Sequence, residues 1–291
     1  RLLEKVYDKI YAKGADLTGI KKALFFWALN LGMEYKPYKQ NGPFYEFKLK
    51  IARKLIFSKW QEGLGGELEL LVSGSAALQT RLTKVFCAAN IPVMEGYGLT
   101  EAGPCLSVNC IKRGMKIGTV GIPLIDIEIK LAEDGEILAK GKNIMQGYYK
   151  NPVATAEVLK DGWLYTGDIG EWVDDKFLKI IDRKKEMFKT SGGKFVAPQV
   201  IENLAKASKF IEQIMVVGDG EKMPCALVQP DFDFAKNWAE IHHVKVIDSH
   251  KEIAANPAIK SRIEKEIEKI NENLGKWEQI KKIELTPKIW T

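Results

Sequence analysis

Hydrophobic and polar positions repeat along this chain with more than one period, and each period predicts a different kind of element. Leu3, Val6, Tyr7 and Ile10 recur at helical spacing, as do Phe47, Ile51 and Leu55, so the first sixty residues read as amphipathic helices. Between them, Ala23-Leu24-Phe25-Phe26-Trp27-Ala28-Leu29 is apolar enough to be buried on most sides. A basic, aromatic helix of this kind can lie on a membrane surface, but packing against a larger domain is the simpler expectation. Gly63-Leu64-Gly65-Gly66 ends the helical pattern. Leu68-Glu69-Leu70-Leu71-Val72 then predicts a buried strand, Ser73 to Ala77 a small-residue loop, and Leu78, Leu82, Val85, Phe86 and Ala89 a helix. Ile91 to Met94 predicts a second strand, and Glu95 to Glu101 a loop. Strand, helix, strand, loop is the order of a parallel-sheet unit. Ligands in such sheets bind beyond the carboxyl ends of the strands, where both loops fall.

From about Gly118 to Ile181 the pattern shortens. Asp126 to Leu131 alternates, Asp134-Gly135 turns, and Glu136 to Ala139 returns, which predicts an antiparallel sheet or barrel. After Asp182-Arg183-Lys184-Lys185 comes a smaller α+β unit, with strands over Ile214 to Val217 and Ala226 to Val228. A long helix there carries Ile259, Ile263, Ile267, Ile270 and Leu274 on one stripe and starts at Asn256-Pro257, a cap followed by proline in the first turn. The fold class that follows is α/β plus a β-barrel-like subdomain, with a smaller C-terminal α+β domain.

With 291 residues, 46% hydrophobic and 28% charged, the chain is long enough for two domains with real cores. No apolar run is long enough to cross a bilayer, and the charged opening Arg1 to Lys5 is unlike an export signal. The four scattered cysteines (Cys87, Cys105, Cys110, Cys225) form no C-x-x-C pair, so a reducing, cytoplasmic setting is expected. The net charge of +6 suits anionic ligands. No basic block with interleaved aromatics points to nucleic acid. His242, His243 and His250 lie in a polar stretch and read as solvated surface rather than metal ligands.

Four segments could carry chemistry. In Glu95-Gly96-Tyr97-Gly98-Leu99-Thr100-Glu101, the glycines let backbone approach a ligand and leave the Tyr97 ring as a stacking surface for a purine. Thr100 offers a hydroxyl to a phosphate, and Glu101 a hard carboxylate to Mg²⁺. Gly74-Ser75-Ala76-Ala77 opens a helix, whose free N–H groups suit a ligand. Asp168, after a Thr-Gly turn, could accept from two vicinal ribose hydroxyls, with Arg183 nearby. Lys189 to Lys194 places Gly192-Gly193 in a turn between short strands, ringed by Lys185, Lys189 and Lys194. Each segment alone reads equally well as a turn, or as a hairpin with solvated charges.

Taken in order, the four resemble the adenylate-forming enzymes, and within them the AMP-forming long-chain fatty acyl-CoA synthetases. The run Asp161-Gly-Trp-Leu-Tyr-Thr-Gly-Asp-Ile-Gly-Glu-Trp172, on to Asp182-Arg-Lys-Lys185, resembles their signature segment. Glu95 to Glu101 is similar to the adenine loop, and Gly141 to Pro152 to the segment before the ribose motif. Lys189 to Pro198 resembles the long-chain branch.

The resemblance implies that Gly74, Ser75, Ala76, Glu95, Gly96, Tyr97 and Gly98 frame the adenine, Thr100 touches the α-phosphate, Glu101 holds Mg²⁺, and Asp168 and Arg183 hold the ribose. It implies that Lys185 sits at a hinge, Lys189, Gly192 and Gly193 lie on the face of a mobile lid that receives coenzyme A, and Phe195 lies close to the nucleotide. The implied division is 1–117 for the C-terminal part of a large α/β domain, 118–181 for the barrel, 182–185 for the hinge and 186–291 for the lid. The implied substrates are ATP, a fatty acid and coenzyme A. A peripheral membrane contact and a homodimer stay open. The family also uses a Ser/Thr/Gly-rich phosphate loop and a lysine near its C-terminus, and neither is in this sequence. The expectation is therefore a C-terminal fragment, inactive alone. A ligase for another acid and a non-catalytic nucleotide-binding module are the alternatives.

Overall fold

The computed structural model describes residues 2–246 and 249–290, so Arg1 and Thr291, the outer ends of two segments quoted above, lie outside the described residues. Two compact units emerge: residues 1–166 with 170–180, and residues 167–169 with 181–291.

The first unit begins with α1 (Leu2–Ala15), α2 (Gly19–Met33) and α3 (Pro43–Ala52). One wider π-type turn over Arg53–Phe57 joins α3 to α4 (Ser58–Gly63). Leu49, Ala52 and Phe57 from the α3–α4 rod are fully buried in the same core cluster as Ala28 of α2. Trp60 meets Phe57 edge-on at 5.0 Å between ring centres. Each large side chain buried this way contributes about 1.5–3 kcal/mol. The Phe47, Ile51 and Leu55 stripe predicted from spacing is helical, but it points outward: Phe47 is 63% exposed. Helical period shows that one face is apolar, not what covers it.

Next come β1 (Leu71–Ser73), α5 (Thr80–Ala88), β2 (Val93–Tyr97), β3 (Ser107–Val108) and β4 (Ile122–Pro123). They form a sheet in that order, with β1 and β2 parallel and the rest antiparallel. The parallel pair is as predicted, with Leu71 opposite Val93. The buried five-residue strand is not. The strand is shorter, bonds only β2, and leaves Val72 68% exposed while Leu71 packs on the core. In a half-covered strand alternate residues face away from the core. Glu95, Gly96 and Tyr97 are also the end of β2 rather than loop.

The second sheet contains β5 (Glu128–Leu131), β6 (Glu136–Lys140), β7 (Leu159–Lys160), β8 (Trp163–Val173) and β9 (Phe177–Arg183), in the order β5-β6-β8-β7 with β9 on β8, and belongs to this unit except for residues 167–169 of β8 and 181–183 of β9. The predicted hairpin turns at Gly135, φ +84°, which glycine adopts freely. α6 (Pro152–Val158) is capped by Asn151, whose side chain accepts from the Ala154 N–H at 3.1 Å.

In the second unit β10 (Phe188–Lys189) pairs with β11 (Phe195–Val196) around the turn the sequence suggested, and Pro198 starts α7 (Pro198–Ala205). β12 (Ile211–Val217), β13 (Cys225–Pro230) and β14 (Lys282–Leu285) form the sheet, accompanied by α8 (Phe232–Ile241), α9 (His250–Ala255) and α10 (Pro257–Asn271). Ile259, Ile263, Ile267 and Ile270 of α10 are buried with Val228 and Ile214. Asn256 caps α10 by accepting from Ala258 N–H (2.9 Å) and Ile259 N–H (3.3 Å). Leu274 lies past the end of α10 yet still packs on this core. His242 and His250 are exposed and stack on Trp238 and Phe232. No helix among the described residues is long and apolar enough to cross a membrane.

Candidate functional site

In the first unit the candidate residues gather where β1 and β2 end. Gly74 to Ala77 follow β1 and are exposed, but they do not open the helix: α5 starts at Thr80, with Gln79 at its cap. The free N–H groups of α5 are thus displaced from the loop. Ser75 takes a left-handed backbone, φ +69°. A Cβ added at Gly74 would touch the Gly96 carbonyl at 3.6 Å, so the two small-residue segments lie side by side.

Glu95 points inward rather than toward a ligand. It is 8% exposed; the Thr83 hydroxyl donates to Oε1 at 3.0 Å, and the Leu78 and Gly118 N–H groups donate to the same carboxyl. Burial pushes its pKa up to about 7 despite those three donors. The carboxyl therefore ties the loop before α5 to β2 from beneath.

Gly98 is glycine for a reason other than ligand approach. A Cβ there would meet the Pro104 carbonyl at 1.8 Å, because the chain folds back on itself. Gly96 also faces its own sheet, with Ser107 O at 3.3 Å. The Tyr97 ring is half-buried and packs with the cluster around Ala102, Leu106 and Leu164, so it is not a bare platform. Thr100 is exposed and begins a short 3-10 turn, Thr100–Ala102.

Glu101 follows in that turn, half-buried, and accepts from the Tyr148 hydroxyl at 2.8 Å. No cluster of three or more His, Cys, Asp or Glu among the described residues could hold a metal ion. A single half-buried carboxylate next to an exposed hydroxyl does fit Mg²⁺, which keeps few protein ligands and shares the rest with phosphates and water.

In the second unit Asp168 and Arg183 meet. Asp168 lies within the continuous strand β8, not after a turn, and Gly167 at φ +74° accommodates the irregularity. Its side chain is 8% exposed and pairs with Arg183 Nε at 3.0 Å, while Arg183 is 61% exposed. A buried carboxylate with its charge held by a partly open guanidinium is a preorganised acceptor.

Asp182 was missed in the sequence and is as built-in as any of these. It is 1% exposed; Oδ1 accepts from the Arg183 N–H (2.7 Å) and Oδ2 from the Gln199 N–H in the first turn of α7 (3.0 Å). Burial raises its pKa. An Asp beside an Arg at a strand end was the available signal.

Lys185 is exposed. In the Lys189–Lys194 hairpin the Thr190 N–H donates to Lys194 O (2.9 Å) and the Gly193 N–H to Thr190 O (2.8 Å); Gly193 has φ +77°. Gly192 and Gly193 are exposed, and the Lys189 ammonium sits over the 60% exposed Phe195 ring at 5.3 Å. Tyr97, Thr100 and Glu101 belong to the first unit, Asp168, Arg183 and the lysine hairpin to the second.

Residues 29–149 match the AMP-binding enzyme model, and residues 186–288 match the AMP-binding enzyme C-terminal domain. The chain is 36% identical to long chain acyl-CoA synthetase 3 of Arabidopsis thaliana over 98% of its length, and 35% identical to human long-chain-fatty-acid–CoA ligase 1 over 100%. It covers 45% and 43% of those two proteins, so the chain spans about half the length of the curated relatives it matches. Among solved structures, the adenylation domain of a carboxylate reductase from Mycobacterium chelonae superposes with a TM-score of 0.64 at 22% identity, over 92% of this chain and 40% of that one. O-succinylbenzoate coenzyme A synthetase from Bacillus subtilis, solved with ATP and magnesium ion, gives 0.59 at 23%, over 80% and 47%. Those two likenesses establish the fold, which is the adenylate-forming one. With both family models matched in order along it, the chain belongs to the AMP-binding enzymes.

Proposed function

We propose that this chain is the nucleotide- and coenzyme A-facing part of an AMP-forming long-chain fatty acid–CoA ligase. The intact protein would convert ATP, a fatty acid and coenzyme A to acyl-CoA, AMP and diphosphate. The observation that carries this reading is the buried Asp168 held by Arg183 within the segment resembling the acyl-CoA synthetase signature. The relatives named as long-chain-fatty-acid–CoA ligases support the choice of acid.

A carboxylate is a poor acyl donor because oxide is a poor leaving group. Attack of a carboxylate oxygen on the α-phosphorus of ATP expels diphosphate and gives an acyl-adenylate. The coenzyme A thiol then attacks the acyl carbon, loses its proton, and expels AMP. In this reading the exposed Gly74–Ala77 loop and the half-buried Tyr97 beside Gly96 receive the adenine, Asp168 accepts from the ribose hydroxyls, and Arg183 holds Asp168 or reaches the same sugar. Thr100 donates to an α-phosphate oxygen. Glu101 would hold Mg²⁺, which offsets negative charge on the phosphates. Lys189 and the adjacent Gly192-Gly193 turn would receive the pantetheine arm, with Phe195 near the nucleotide. Lys185 would lie in the hinge, consistent with the change of compact unit at Ile181.

The test is Asp168→Ala in the intact protein. Use of ATP in adenylate formation should weaken, with KM for ATP raised. Unchanged ATP kinetics would remove the ribose assignment.

A further inference from the structure

We infer that Tyr148 is a positioning residue for Glu101, fixing the carboxylate that faces the divalent cation. This rests on the reading of Glu101 as a cation ligand given above.

Glu101 is gripped at two points by one segment. Its carbonyl accepts from the Met145 N–H at 2.8 Å, and its side-chain Oε1 accepts from the Tyr148 hydroxyl at 2.8 Å. Two residues before Met145, Asn143 clamps the same turn, donating from Nδ2 to Ala102 O (2.5 Å) and Cys105 O (3.1 Å). Tyr148 is itself anchored: its N–H donates to Thr155 Oγ1 at 2.9 Å, and the Thr155 hydroxyl donates to Asn151 O at 2.8 Å. Gly147, φ +148°, brings the chain so close to Thr155 that a Cβ would sit 2.8 Å from its methyl carbon. The phenol thus reaches Glu101 from a braced backbone.

A glutamate in a short turn has three side-chain torsions to fix before it can serve a cation. A neutral donor to one carboxylate oxygen fixes them without cancelling the charge, whereas a lysine there would compete with Mg²⁺. Tyr148 is 38% exposed, so its ring is not a core element whose loss would collapse the sheet.

The experiment compares Tyr148→Phe and Glu101→Gln in the intact protein. Mn²⁺ binding is followed by electron paramagnetic resonance in the presence of a non-hydrolysable ATP analogue, and metal-free AMP affinity by calorimetry. Tyr148→Phe should weaken Mn²⁺ binding by about tenfold, the scale of one hydrogen bond to a charged group. Metal-free AMP affinity should hold, and the Mg²⁺ concentration needed for half-maximal rate should rise by the same factor. Unchanged Mn²⁺ affinity in Tyr148→Phe, with Glu101→Gln weakened, would overturn the positioning role and leave the Glu101 reading intact. Unchanged affinity in Glu101→Gln would overturn both. Equal loss of AMP and Mn²⁺ binding in Tyr148→Phe would show a structural role and also overturn it.

Discussion

Glu95 gives the sharpest test of how the loops at the end of β2 are built. Its carboxyl is buried under the Leu78 and Gly118 backbone and the Thr83 hydroxyl, and its pKa rises from an ordinary 4.5 to about 7. A pKa raised in the folded state means that folding favours the protonated acid. The stability tied to Glu95 is therefore full below about pH 4.5, falls as pH rises, and is gone above about pH 7. At about 1.4 kcal/mol per pH unit the whole change is about 3 kcal/mol. That corresponds to roughly 6–12 °C in the melting temperature of a unit this size. Glu95→Gln cannot ionise, and its amide NH₂ faces donors where the carboxyl had acceptors. The variant should be less stable than wild type at pH 5, and the gap should close toward pH 8. Melting temperatures of both proteins, measured from pH 5 to pH 8 by tryptophan fluorescence, read that difference directly. A gap that stays constant across the range would refute the buried-acid account. A carboxyl ¹³C resonance of Glu95 titrating near 4.5 would refute it as well.

Other outcomes follow from single contacts. Asn256→Ala removes the cap of α10 and should cost about 1 kcal/mol in denaturant unfolding of the second unit. Ile263→Ala opens a cavity in a fully buried position and should cost about 2–5 kcal/mol in the same assay. Lys185→Pro stiffens the proposed hinge; diphosphate release should persist while thioester formation is lost, and equal loss of both half-reactions would count against a hinge.

Long-period features were legible in the sequence because period and packing agree there. The Asn256-Pro257 start, the isoleucine stripe of α10, the Asp134-Gly135 turn and the parallel β1–β2 pair all fall where the pattern put them. Failures occurred where solvent cover or long-range contact decides. Val72 and Phe47 are apolar yet exposed, since composition does not reveal which side a neighbour occupies. The pattern predicts a loop from Glu95, whereas three donors from residues distant in sequence let this glutamate continue a buried strand. Sequence alone suggests that Gly98 leaves room for a ligand, but Pro104 and Cys105 take that room. Tyr148 lay inside a segment already singled out, yet its partner is 47 residues away and nothing local announces it. The Asp168–Arg183 pair, separated by fifteen positions, was suggested by residue chemistry, and the β8–β9 pairing accounts for it.

The most direct measurement is a calorimetric titration of AMP into this chain and into Asp168→Asn, which keeps the shape but removes the charge and one pair of acceptor sites. Saturable binding by the parent chain, weakened at least tenfold by the substitution, is the predicted result, on the scale of about 1.5–3 kcal/mol for hydrogen bonds to a charged group. Equal affinity in the two proteins would contradict the claim that the buried, arginine-paired carboxylate holds the sugar.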